Sequence, residues 1–454
     1  MFTKIIYASQ TEAKLDSNVL TGGGTDDTLA LQKTLDLALE YGGIHLVMDG
    51  AASITGLTVH SNTTIECLNK SCGFYLADNA NSPLIINANP SAQETIDRNI
   101  TLTGGIYNHN CMHQVHHLPE EVHYTRADFY VVAISFFGIE NLLIRDVTIR
   151  NQRTFAFLIT NWQKVTMENI CLELPDFIHG GNQDGIHIQG PGRHLVLKNI
   201  QGSTGDDFIA INADDELLGE KNFFHPCASM GPVTDVMIDT LMVNDAAQIL
   251  RVLSRESTID RLIVRNVSGH YRSFGFYLSA WDYRSKGYKG NFGSMLFENI
   301  NVRQTKADDD YTEPFLFRIS GKHRDLMLKN ITYIDPADDR YIIYIEGESD
   351  IKEIDTTPAD VDSLIIDGLH INDNSKTTQS RPYIMVKGHV RHMVVRNAEA
   401  FNRESKKAAL LATDGEYAKI DQLFLYNITA KNIALMINDR EEKIIECHSS
   451  NIFK

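Results

Sequence analysis

The chain has 454 residues, 43% hydrophobic and 22% charged, with a formal net charge of -17 and a pI near 5.4. That balance argues against a nucleic-acid or anionic-membrane partner, while leaving room for a polyanionic sugar held by a local basic patch. No apolar run reaches 18 residues, so no membrane-spanning helix is expected. The opening stretch Met1–Gln10 is too short and too polar for a secretory leader. The expected location is therefore cytoplasmic, or secreted or periplasmic if the start is a processed form. Six cysteines without metal-type spacing read as free thiols, and no cofactor or metal is expected.

In chain order, Thr21-Gly22-Gly23-Gly24-Thr25-Asp26-Asp27-Thr28 opens a helix capped by Asp or Thr. Leu29, Leu35, Leu37 and Leu39 with Ala30 and Ala38 supply its apolar face, and Gly42-Gly43 ends it. Ile44–Met48 then reads as the first strand. Beyond it one phrase repeats: two apolar residues, a polar one, Asn or Asp, then an aliphatic. It recurs at Asp146, Asn169, Asn199, Asp239, Asn266, Asn299, Asn330, Asp367, Asn397 and Asn427, at intervals of 23 to 40 residues. A regular unit with variable insertions is the mark of a solenoid. The repeated Asn suits a left-handed turn and a hydrogen-bonded ladder inside the coil.

These features predict an all-β fold, a single-stranded right-handed parallel β-helix of about ten or more coils. It forms one domain over residues 1–454. Residues 1–45 make an N-terminal cap with a short helix covering exposed strand edges, and 46–454 make the coils. Four irregular pieces break the pattern: a His-rich loop from Asn108 to Arg126, an insertion over 212–231, a Tyr/Gly/Lys-rich loop from Trp281 to Gly293, and an acidic stretch over 302–314. The His-rich loop carries His109, His113, His116, His117 and His123, in spacings that match no standard metal set. Trp281, Tyr283 and Tyr288 are equally suited to stacking on a sugar or on the solenoid.

The most informative stretch is Gly181-Asn182-Gln183-Asp184-Gly185-Ile186-His187-Ile188 followed by Thr204-Gly205-Asp206-Asp207-Phe208-Ile209-Ala210-Ile211-Asn212. Each half is a Gly/Asp turn leading into an apolar strand. Asp184 and Asp206 lie 22 positions apart, about one coil, so the two turns stack. Carboxylates packed that closely do not all ionise freely. Carboxyls held in different protonation states are what glycosidic bond cleavage needs. Solvated turns or a calcium site are the plainer readings.

The Asn-x-Asp-Gly and Gly-Asp-Asp turns resemble the polygalacturonases of glycoside hydrolase family 28, within the pectin-lyase-like β-helix superfamily. Gly24–Thr28 and Gly104-Gly105-Ile106 with Asn108 are similar to that group's N-terminal signatures. The resemblance implies that Asp184, Asp206 and Asp207 are catalytic, with Asp206 the general acid and the other two holding and activating water, and that the anomeric carbon is inverted. It also implies substrate-binding roles for Asn182 and for Arg251. Where the family has Gly-His-Gly, this chain has Lys221-Asn222-Phe223-Phe224-His225-Pro226, with His225 as a substitute. Where it has Arg-Ile-Lys, this chain has Arg251-Val252-Leu253, and the missing Lys makes a neutral or differently placed acidic sugar plausible. The expected partner is a pectin-like or related oligo- or polysaccharide, and a cytoplasmic location would suit exo attack on short chains. A calcium-dependent polysaccharide lyase and a non-catalytic carbohydrate-binding β-helix are the alternatives.

Overall fold

The computed structural model describes residues 4–114, 132–178, 182–215, 224–280, 289–305, 315–334, 341–347, 357–374, 381–403 and 407–453. The chain divides into two compact units. The first is Met1–Ala210 with Asp215–Val233, and the second is Ile211–Asp214 with Thr234–Lys454. Each is built from parallel β-helix coils, as the repeated phrase predicts.

In the first unit one position of each coil stacks on the same position of the next. Ile6, Leu46, Ile65, Leu102, Ile144, Met167 and Leu197 stand opposite one another in successive parallel pairings. All but Ile6 are fully buried. Burying each such side chain is worth about 1.5–3 kcal/mol, which holds the coils together without any long-range pairing code. The second unit repeats the device with Val264, Phe297, Leu328, Ile366, Val395 and Leu425, and Ser449 follows in register on an exposed strand.

The helix spans Thr28–Tyr41, and Gly42 closes it at φ 77°. Its buried stripe is Leu31, Thr34, Leu35 and Ala38. Leu29 and Leu39, assigned to the apolar face from sequence, are 85% and 72% exposed. Leu29 lies two residues from Leu31, roughly 200° round the helix, and Leu39 falls at the flank of the stripe in the last turn. Asp26 accepts the Thr28 N–H at 3.0 Å. Asp27 instead turns back, buried, to accept the N–H groups of Lys14 and Leu15 at 2.6 and 2.9 Å. One aspartate thus serves the helix and the other fastens the N-terminal segment. Ile44–Met48 is not the first strand, since Lys4–Tyr7 precedes it and pairs with it.

The Asn residues at 169, 199, 266, 299, 330, 397 and 427 have φ between 52° and 60°, as does Asp146. In the coils of Asp239 and Asp367 the left-handed residue is the next one, Thr240 or Gly368. The ladder forms: Asn169 Nδ2 donates to Asp146 Oδ1 and Asn199 Nδ2 to Asn169 Oδ1, at 2.8 and 2.7 Å. It resumes from Asn266 onto Asp239, then Asn299 onto Asn266 and Asn330 onto Asn299. A second ladder joins Asn99 to Asn62 and Asn141 to Asn99. Contrary to the sequence expectation, these ladders run along the exposed corner of the coil rather than inside it. Each amide has a second N–H, which water satisfies at the surface and an aliphatic interior does not.

Candidate active site

The two acid-bearing turns lie in the first unit and are bonded to each other through their backbones. Asn182 starts the first turn in the left-handed region, at φ 49°. Gln183 is fully buried and anchors it: Nε2 donates to Gln152 O at 2.6 Å, and Oε1 accepts the Ile178 N–H at 2.8 Å. Gln183 O accepts the Gly205 N–H at 2.9 Å and the Asp206 N–H at 3.4 Å. Gly185 N–H donates to Asp207 O at 2.8 Å. One coil earlier, Phe157 N–H donates to Gly185 O where Phe157 stands opposite Ile186. These bonds tie the two turns together on neighbouring coils, which stack about 4.8 Å apart.

Asp184 and Asp207 are each 2% exposed, whereas Asp206 is half-buried. Buried carboxyls are costly unless they are hydrogen-bonded. The turn itself requires glycine. A Cβ on Gly185 would stand 2.4 Å from Phe208 O, so any side chain there forces the two coils apart.

Sequence reasoning overlooked the residue that holds Asp184. His187 Nδ1 lies 2.9 Å from Asp184 Oδ2, and both side chains are buried. The imidazole stacks on Phe155, with centroids 4.3 Å apart and planes at 16°, and Phe155 stacks on Phe224 at 4.7 Å and 19°. These aromatics belong to a buried cluster with Val132, Phe137, Leu158 and Ala228. The available signal was the i, i+3 placement of His187 after Asp184, which bends a ring back onto the turn.

His225 is held within its own turn. Its Nδ1 accepts the Cys227 N–H at 3.0 Å, its ring stacks on Phe137 at 4.4 Å, and burial lowers its pKa. Arg251 lies in the second unit, on the strand Gln248–Leu253. There it heads a file in which Arg251 stands opposite Tyr277, Tyr277 opposite Arg318, and Arg318 opposite Tyr344. Glu346 grips the Arg318 guanidinium at 2.9 and 2.6 Å, and that group sits 4.8 Å over the Tyr277 ring. Asp214, also in the second unit, accepts three backbone N–H groups, from Arg255, Glu256 and Ser257, and so caps a turn.

Of the His-rich loop, His109 is a core residue rather than a ligand. Its Nε2 donates to Ser82 O at 3.0 Å, and its Nδ1 accepts the Arg153 N–H at 3.0 Å. Burial drives its pKa down to about 4. His113 pairs with Asp78 at 3.1 Å in the open. His116, His117 and His123 lie outside the described residues, as do Lys221, Asn222, Phe223, Trp281, Tyr283 and Tyr288. Among the described residues no group of three or more His, Cys, Asp or Glu is arranged to hold a metal ion.

His323 in the second unit matches His109: Nε2 bonds Ser320 O at 2.9 Å, and burial lowers its pKa to about 4. Its Nδ1 is buried with no partner among the described residues, so a second proton there has no acceptor. Both rings titrate at 6.5 in the unfolded chain and near 4 in the folded one. As pH falls from 6.5 towards 4 the unfolded chain takes up protons that the folded chain refuses. Stability is therefore full above pH 6.5, declines through that window and levels off below it, by about 3 kcal/mol per histidine. Denaturation midpoints measured from pH 7 to 4 should show this fall, and His109→Gln or His323→Gln should flatten it.

The fold is a parallel β-helix in which the two acid-bearing turns are bonded to each other. Residues 129–259 match the family model of Glycosyl hydrolases family 28. A polygalacturonase of Persea americana is 26% identical over 182 residues, covering 39% of this chain and 35% of that protein. The chain thus spans about a third of the length of that relative. Among solved structures, the family 28 exopolygalacturonase of Yersinia enterocolitica aligns over 100% of this chain and 78% of its own, at 14% identity and a TM-score of 0.54. The pre-mature bacteriophage phi29 gene product 12 aligns over 96% of this chain and 57% of its own, at 11% identity and a TM-score of 0.59. At such identities the structural likenesses speak for the fold alone. The family-model match, residues 129–259, includes both acid turns.

Proposed function

We propose that the chain is a glycoside hydrolase that cleaves a pectin-like or related oligo- or polysaccharide with inversion at the anomeric carbon. The observation that carries this reading is that the Asp184 turn and the Asp206-Asp207 turn are bonded to each other, Gly185 N–H to Asp207 O and Gly205 N–H to Gln183 O, with Asp184 and Asp207 buried and Asp206 more exposed. Asp206, the more exposed carboxyl, gives its proton to the leaving glycosidic oxygen as the bond to the anomeric carbon breaks. Asp184 and Asp207 hold a water molecule, take its proton and direct its oxygen to the opposite face of that carbon. Like charges one coil apart do not all ionise together, which favours a shared proton among the three. Inverting enzymes separate acid and base by about 6.5–9.5 Å to admit the water. Aligned positions on adjacent coils give only about 4.8 Å, so the acid must be offset from the base, and Asp206 supplies that offset.

Incubation with a panel of pectic and other plant and bacterial oligosaccharides, with products read by mass, tests the reading. The expected products together weigh one water more than the substrate. Fragments with no added water and a new ultraviolet absorbance indicate elimination instead. Binding without any change in mass indicates a carbohydrate-binding protein.

A further inference from the structure

We propose that His187 is a positioning residue for Asp184: its Nδ1–H fixes the carboxylate in the orientation from which it takes the proton of the attacking water. This rests on the hydrolase reading above and names a residue that reading does not use. His187 Nδ1 stands 2.9 Å from Asp184 Oδ2 with both side chains buried. A lone carboxylate at the end of a short side chain rotates about its last bond. One strong bond from a fixed donor stops that rotation and orients both oxygens.

The donor is itself immobile. His187 lies on the strand Ile186–Ser203, in register with Leu158 of the neighbouring coil, and its ring is stacked on Phe155, which is backed by Phe224. Gly185, where a Cβ would collide with Phe208 O, lets the chain turn tightly enough for residue 187 to reach residue 184. The backbone between them is pinned on both sides, by Ala156 N–H on Asp184 O and by Gly185 N–H on Asp207 O. His187 takes no proton in the step. The water's proton goes to the Asp184–Asp207 pair, the leaving oxygen takes the proton of Asp206, and the imidazole only donates its hydrogen bond.

The test compares three variants on the oligosaccharide that the wild-type chain hydrolyses. The amide nitrogen of Asn falls where His carries Nδ1, whereas that of Gln falls where His carries Nε2. His187→Leu should lower kcat by about 10- to 100-fold with KM within about twofold, the loss expected when an orienting partner is removed. His187→Asn should recover most of that loss and His187→Gln should not. Should His187→Leu fail to fold, the Asn and Gln pair alone decides the matter. Equal activity in Asn and Gln, a loss appearing only in KM, or a wild-type kcat for His187→Leu would each overturn the proposal. Asp184→Asn in parallel separates the two levels. If it turns over normally, the hydrolase assignment fails; if it is inactive while His187→Leu is fully active, only the positioning role fails.

Discussion

Asp206→Asn is expected to lower turnover by roughly 10²–10⁴-fold while leaving substrate binding nearly intact. The amide keeps the shape and size of the carboxyl and loses the proton that the leaving oxygen needs. The defect should therefore appear in kcat and not in the dissociation constant, measured by titration calorimetry on the inactive variant. Asp184→Asn and Asp207→Asn should be severe as well, because they disable the capture of water's proton. On the proposed mechanism the three losses should not add, as expected of groups that act as one unit. Near-normal turnover by Asp206→Asn on a true substrate would remove the assigned acid and with it the mechanism.

The largest expected effect on stability lies in the second unit. Lys407 and Asp373 are fully buried, 3.7 Å apart, and the Tyr383 hydroxyl donates to Asp373 at 2.9 Å. The Lys407 ammonium also stands 4.7 Å from the centre of the Tyr383 ring. Removing Lys407 takes away a cation that faces the buried Asp373 carboxylate. Lys407→Met should destabilise the protein by about 3–5 kcal/mol, seen as a lower denaturant midpoint. Replacing both, Lys407→Met with Asp373→Asn, should recover part of that loss because the facing carboxylate is neutralised as well. An unchanged midpoint for Lys407→Met would show that the pair contributes nothing net.

The fold was legible because a solenoid writes its period into the chain. Asn169, Asn199, Asn299 and Asn427 mark the left-handed corners in the sequence itself, and the spacing of Asp184 and Asp206 marks one coil. What a period does not reveal is the side of the backbone on which a repeated residue lies. The period alone suits a ladder inside the coil, whereas these side chains bond to one another along the exposed corner. Local cues failed where a tertiary partner outbid them, as when Asp27 left the helix end to hold Lys14 and Leu15. His187 was in plain view three residues after Asp184, but its role depends on a stack with Phe155 and Phe224 that lies far apart in sequence. The Lys407–Asp373 pair was hidden for the same reason, since neither residue carries a motif.

The central claim is that water adds directly to the anomeric carbon, activated by carboxyls that never bond to the sugar. The most direct measurement is proton NMR of the anomeric signals during the first minutes of hydrolysis, before the new reducing end equilibrates. The account predicts that the first product has the anomeric configuration opposite to that of the cleaved linkage. A first product that retains the configuration would mean a covalent glycosyl intermediate on one of the carboxyls, and would contradict the account.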